Sequence, residues 1–178
     1  MYFKYRLQQN GISAMVIIMM GVSGSGKTTV GKLLATALKV LFLDADGLHS
    51  AENVRKMRRG IPLNDHDRES WLQRAVDKIA RFEKNNGVVI ACSALKRKYR
   101  RILSSGSKKD LLFVYLKGNR DTIYRRMKQR GTHFMRPDML DSQLEALEEP
   151  QRALTVSIEE SPEAICKEIA TNLIPEGA

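Results

Sequence analysis

Cysteine is scarce: the 178-residue chain has two, Cys92 and Cys166. That excludes a disulfide framework and any cysteine-built metal centre, and it fits a reducing compartment, the cytoplasm. Long hydrophobic runs are missing as well. The longest, Ala14 to Met20, is far too short to span a bilayer, so no membrane-spanning segment is expected. Aromatics make up only 6% of the chain and show none of the stacking pattern of RNA-binding modules. With five prolines and no repeat or low-complexity linker, nothing divides the chain into two domains. Acids are in deficit, 20 against 30 Lys and Arg, for a formal charge of +10. Such a surplus suits an anionic partner: nucleic acid, an acidic membrane surface, or small polyanions such as nucleotides.

What is present is globular: 43% hydrophobic and 28% charged residues, in a chain long enough to bury a core unaided. Residues 1–14 carry two basic residues and no acid, without the apolar core of a signal peptide. They read as an extension, disordered or vector-derived, with Met15 a second candidate start. Residues 15–178 then form one domain. Short apolar strands are expected at Val16–Met20, Val40–Leu43, Gly87–Cys92, Leu111–Leu116 and Leu154–Ile158. Helical periodicity lies between them. Val30, Leu33, Leu34, Ala37 and Leu38 recur at three- and four-residue steps, and two helices within 47–86 are separated by "RGIPLNDHD". Arg120–Gln129, Asp138 to about Leu147, and a segment opened by Ser161-Pro162-Glu163 complete the pattern. Strands alternating with helices make an α/β fold, a parallel sheet covered on both faces, whose ligands sit beyond the carboxyl ends of the strands.

The residues after the first strand are informative. Gly21, Val22, Ser23, Gly24, Ser25, Gly26, Lys27 and Thr28 match G-x-x-x-x-G-K-S/T in full, with Thr29 next. Glycines let successive backbone N–H groups surround a phosphate at a helix N-terminus, Lys27 can bridge β- and γ-phosphates, and the Thr28 hydroxyl can ligate Mg²⁺. Strand, loop and amphipathic helix occur in the required order, so the chain is expected to bind a nucleoside triphosphate. The second strand ends in "LDADGLHSAENVRKM". Asp44 is positioned for a magnesium shell. If the chain stays extended, Asp46 projects to the same side and can orient or deprotonate an acceptor hydroxyl. A helix N-cap or a solvated turn is the alternative for this pair.

Five stretches, "GVSGSGKTTVGKLLA", "LDADGLHSAENVRKM", "GIPLNDHDRESWL", "ACSALKRKYRRIL" and "GTHFMRPDMLDSQLEALEEP", together resemble gluconokinase, the ATP-dependent gluconate 6-kinase among the P-loop kinases. The resemblance covers about Met15 to Leu173. It implies a shikimate-kinase-like, nucleoside-monophosphate-kinase-like three-layer fold with strand order 2-3-1-4-5, a substrate-binding insertion at about 47–86 and a lid at about 130–137. The implied reaction is ATP + D-gluconate → ADP + 6-phosphogluconate with Mg²⁺. Small molecules, not nucleic acid, would be the partners, and family members are often homodimers.

With the resemblance, Asp46, His49, Lys56, Arg68, Ser93, Ala94, Lys96 and His133 are expected at the substrate, and Lys27, Asp46, Arg126 and Arg130 in catalysis, the two arginines from the lid region closing over ATP to stabilise charge on the moving phosphoryl group. Arg68 is the preferred carboxylate ligand because its planar fork binds at two points, the alternative being an ion pair with Asp65 or Asp67. For Trp71 packing is expected rather than sugar stacking, and for Cys92 a buried structural thiol. The basic residues of Arg55–Arg59, Lys96–Arg101 and Arg125–Arg130 read singly as solvated helix faces. Two departures from the family stand out: Thr132 where glycine usually precedes "H-F", and a short connection, "EEPQRALTV", before the fifth strand. Rivals remain: another small-molecule kinase of the same fold, acting on shikimate, a nucleoside or another sugar acid, and an NTP-dependent nucleic-acid-binding protein prompted by the charge.

Overall fold

Val16–Met20 (β1) is apolar at every position, which suits only a strand covered on both faces. In the computed structural model all five of its residues are buried. The structure describes residues 15–84, 87–109, 111–129 and 139–173. The other strands are Leu41–Asp44 (β2), Val88–Ala91 (β3), Leu112–Lys117 (β4) and Leu154–Ser157 (β5). Every pairing is parallel, as the alternation of strands and helices predicts, and the order across the sheet is β2-β3-β1-β4-β5, the order that the family resemblance implies.

Helices cover both faces: Lys27–Leu38 (α1), Ala51–Arg58 (α2), Asp65–Glu83 (α3), Arg97–Ser104 (α4), Arg120–Gln129 (α5), Leu140–Glu145 (α6) and Pro162–Leu173 (α7). Alternation along β1 divides the core in two. Ile17 and Met19 pack with Val30 and Leu34 of α1 and Ile165 and Ile169 of α7. Ile18 and Met20 pack with Trp71, Ala75 and Ile79 of α3 and Tyr99 and Leu103 of α4. The long α3, which falls within the 47–86 segment expected to be a substrate-binding insertion, is therefore a wall of the core. Among the described residues no helix is long and apolar enough to cross a membrane.

Local chemistry sets the helix starts. The Ser50 hydroxyl accepts from the Asn53 N–H at 3.1 Å. Asn64 and Asp67 form a reciprocal capping box at 2.8 and 3.1 Å, so the break read in "RGIPLNDHD" is also the start signal of α3. The two helices are fastened together: Asn53 Nδ2 donates to the Asp67 carbonyl at 2.6 Å.

Three local expectations need correction. The helix α4 is foreshadowed only by the reading of Lys96–Arg101 as a solvated helix face and is missing from the expected run of elements, because only Tyr99 and Leu103 of "RKYRRILS" are buried, too few to mark a period among basic residues. The helix expected over Asp138 to about Leu147 is confined to Leu140–Glu145, residue 138 lying outside the described residues. Most consequentially, the chain does not stay extended after β2. The Asp44 carboxylate accepts from the Asp46 N–H at 3.0 Å and turns Ala45–Leu48 into a 3-10 helix.

In register, Asp44 lies beside Ala91, and Ala91 beside Met19. The segments leaving β1, β2 and β3 thus emerge together at one edge of the sheet, where such folds bind ligands.

Candidate active site

The phosphate loop joins β1 to α1. Gly21, Gly24 and Gly26 have φ of 141°, 87° and 95°, a backbone that only glycine adopts without strain. At Gly24 a Cβ would lie 2.8 Å from Met127 Cγ and 3.0 Å from Ile123 Cγ2, so α5 closes against the loop. The helix α1 has no acid in its first turn, which leaves its positive end available to an anion. The Lys27 ammonium donates to the Val22 carbonyl across the loop at 2.9 Å. Gly21 N–H donates to the Ser93 carbonyl at 3.3 Å, linking the loop to the segment after β3. Thr28 and Thr29 are exposed at the start of α1.

Asp44 uses its two oxygens separately. Oδ1 caps the 3-10 turn, while Oδ2 accepts from the Thr28 hydroxyl at 2.8 Å. The capping reading of this residue is thus realised without removing Asp44 from the phosphate loop. A hydroxyl and a carboxylate held together are hard oxygen donors of the kind magnesium takes, so the pair fits that ion. The turn carries Asp46 by a different route from the extended strand first expected, yet Asp46 still lines a pocket with Lys27 and Ser23.

That pocket has a volume of about 100 Å³. Its lining also includes His49, Arg68, Ser93 and Lys96, each a candidate named in the sequence analysis. His49 lies stacked on Trp71, ring centroids 4.7 Å apart and 8° from parallel. Trp71 is itself 1% exposed and donates its indole N–H to the Ala45 carbonyl at 2.7 Å. The indole therefore packs, as expected, and also serves as the floor that orients the imidazole. Burial first, then the charges of Arg68 and Arg74, lower the His49 pKa to about 4, so the ring is neutral at pH 7. Its Nδ1 is buried with no hydrogen-bond partner among the described residues.

The Arg68 guanidinium donates to the Leu63 carbonyl at 3.2 and 3.4 Å and lies over the Tyr99 ring. The ion-pair alternative for it does not materialise. Asp65 is taken by Lys96 at 3.1 Å and by Lys98 and Tyr99, and Asp67 by Lys56 at 2.6 Å. Hydrogen bonds from Lys98, Tyr99 and Lys96 hold the Asp65 carboxyl well below the usual range. Lys96 thus reaches the pocket already neutralised in part.

Other expected residues are placed elsewhere. Lys56 is committed to Asp67, which raises its pKa, and it does not line the pocket. Ala94 is buried behind Ser93 with φ 45°, a left-handed backbone for a residue with a side chain, and its carbonyl accepts from Arg100 at 2.9 Å. Arg126 donates to the Ile158 carbonyl at 2.7 Å; Ile123 and Met127 take the helix face toward Gly24, so Arg126 turns toward the end of β5. Arg130, Thr132 and His133, with the expected lid at about 130–137, lie outside the described residues. Cys92 is buried under the site, and its thiol is pushed up to about 12 by burial first and then by Asp46, so it holds no thiolate.

Two contributors were not singled out from the sequence. Tyr99 lines the pocket and bonds Asp65. Gln143 of α6 accepts from the Ser23 N–H at 2.8 Å and is 8% exposed. Its signal was available: Leu140, Gln143, Leu144 and Leu147 fall at helical spacing, so a glutamine occupies an apolar stripe.

Comparison with known proteins follows the same lines. The family model described as Shikimate kinase matches residues 23–174. A thermosensitive gluconokinase of Escherichia coli K12 is 49% identical over 135 residues, covering 75% of this chain and 72% of its own. A gluconokinase of Arabidopsis thaliana is 40% identical over 177 residues, covering 90% and 93%. The crystal structure of a gluconokinase from Sinorhizobium meliloti 1021 superposes with a TM-score of 0.81 at 40% identity, covering 90% of this chain and 92% of that one.

Proposed function

Because the chain belongs to the gluconokinase family of shikimate-kinase-like enzymes, we propose that it transfers the γ-phosphoryl group of ATP to the 6-hydroxyl of D-gluconate, giving ADP and 6-phospho-D-gluconate. One observation carries the reading beyond kinship. Ser23 and Lys27 of the phosphate loop open onto the same pocket as Asp46, His49, Arg68 and Lys96. A donor that cradles phosphates thus adjoins a wall of cations and hydrogen-bonding groups, which is what a polyol carboxylate requires.

In this mechanism the gluconate carboxylate meets Arg68 or Lys96, and its hydroxyls meet the neutral His49 ring and Ser93. Asp46 orients the 6-hydroxyl and accepts its proton as the new O–P bond forms and the bond to ADP breaks. Lys27 neutralises charge spreading over the phosphoryl oxygens. Thr28 and Asp44 would hold Mg²⁺, which when bound offsets phosphate charge. Transfer through a loose transition state asks the protein mainly to align groups, so a pocket of fixed polar side chains suffices. The charge of +10 draws both anionic substrates toward the site. The reading takes the cytoplasm as compartment, assigns no nucleic-acid or membrane partner, and leaves a homodimer compatible.

A coupled ADP-release assay with Mg²⁺ and ATP tests it against gluconate, other aldonates, shikimate and nucleosides. Gluconate should give the highest kcat/KM, and Lys27→Ala and Asp46→Asn should each lose most of kcat while remaining folded. Preference for another acceptor refutes the substrate. Tight RNA or DNA binding without gluconate-stimulated ADP release refutes the kinase.

A further inference from the structure

The side chain of Gln143 is a polar group where the helix α6 otherwise contributes apolar ones to the core, and it is 8% exposed. Its orientation follows from chemistry. The Ser23 N–H can only donate, so the amide atom 2.8 Å from it is the oxygen. The amide nitrogen, with two hydrogens to donate, is then turned the other way. It is buried and has no partner among the described residues. A buried donor left so is uncommon in folded proteins and marks a group kept for something. Gln143 lines the pocket that also holds Lys27, Asp46 and His49, and His49 Nδ1 is a second buried atom without a partner there.

We propose that Gln143 is an acceptor-binding residue. Its oxygen stays on the Ser23 N–H of the phosphate loop, while its Nε2 donates to a hydroxyl oxygen of the sugar acid at the end that is phosphorylated. The inference rests on the function proposed above and deepens it. Because the amide is fastened to the phosphate loop and not to the Arg68 side, the oxygen it reads belongs near the reacting carbon, remote from the carboxylate. One side chain then ties the position of the acceptor to that of the loop which cradles the donor. The hydroxyl beside the reacting one is the natural choice, and an acceptor without it would leave Nε2 buried and unsatisfied.

Two variants separate acceptor binding from mere support of the loop. Gln143→Met has similar bulk and loses both polar ends. Gln143→Glu keeps an oxygen for Ser23 but cannot donate. Steady-state kinetics with gluconate and with 5-deoxygluconate are set beside ADP affinity by calorimetry and thermal melting. We expect kcat/KM for gluconate to fall about tenfold or more in both variants, the loss expected of a buried hydrogen bond. It should fall less than threefold for 5-deoxygluconate, and Gln143→Glu should bind ADP within threefold of the unmodified enzyme. Gluconate kcat/KM within threefold of normal in Gln143→Glu overturns the proposal. So does a loss of ADP affinity in step with that of gluconate, which assigns the residue to the loop alone. If the unmodified enzyme does not turn over gluconate, the function proposed above fails separately. The variants are then assayed on whichever acceptor of the panel is used, where unchanged kcat/KM overturns the role of Gln143.

Discussion

His49 should make the protein acid-labile between pH 7 and pH 5. Buried against Trp71 and facing Arg68 and Arg74, the imidazole resists protonation until about pH 4, whereas an ordinary histidine takes up a proton near 6.5. Between those values the unfolded chain binds more protons than the folded one, so stability falls as pH falls. A lag of this size integrates to about 2 kcal/mol by pH 5 and about 3 kcal/mol at the acid end. The carboxylates held low behave differently. Asp65, held by Lys98, Tyr99 and Lys96, Asp67, held by Lys56, and Asp141, held by Arg120, keep their contributions until the pH drops into and below the usual carboxylate range. Urea unfolding at pH 7, 6 and 5 should therefore show a decline of about 2 kcal/mol that His49→Gln lacks, whatever the absolute stability of that variant. Parallel slopes for the two proteins over this window would refute the assignment of a buried, neutral His49.

Two further perturbations probe the supports of the site. Trp71→Phe keeps an aromatic ring beneath His49 but abandons the Ala45 carbonyl, which is buried; a loss of about 1–3 kcal/mol in chemical denaturation, with a raised KM for gluconate, is expected, and an unchanged KM would remove Trp71 from any role in orienting His49. Gly24→Ala should cost about 1–3 kcal/mol, because a Cβ there meets α5 at 2.8 Å on a backbone with φ 87°; a variant as stable as the parent would show that loop and helix are not closed against each other.

The fold was legible because each strand of the sheet announced itself. Val16–Met20 and Leu112–Leu116 are apolar throughout, as strands buried on both faces must be, and the glycine-rich turn ties the first of them to a helix. Breaks were legible where they carried chemistry, as in the Asn64 to Asp67 capping box. Where burial was sparse the signal failed. The helix Arg97–Ser104 buries Tyr99 and Leu103 among basic residues, and no periodicity could rise above that background.

The site divides along a similar line. Lys27, Asp46, Ser93 and Lys96, which follow strand ends, and His49 and Arg68, named from the family resemblance, line one pocket. Residue types and spacing do not reveal which partner a charge will take. Arg68 was preferred to Lys56 for its planar fork, with capture by Asp65 or Asp67 as its alternative, yet it is Lys56 that Asp67 captures, at 2.6 Å, while Leu63 offers Arg68 only a carbonyl. Bonded to the neutral Leu63 oxygen and without an ion pair to Asp65 or Asp67, Arg68 is the one of the two cations proposed to meet the carboxylate. The turn after Asp44 shows the converse. A carboxylate expected to serve a metal spends one oxygen on the Asp46 N–H and so chooses where the next acid goes. The position of Asp46 therefore depends on a side chain two residues earlier, and Asp44→Ala should disturb acceptor alignment as well as any metal shell.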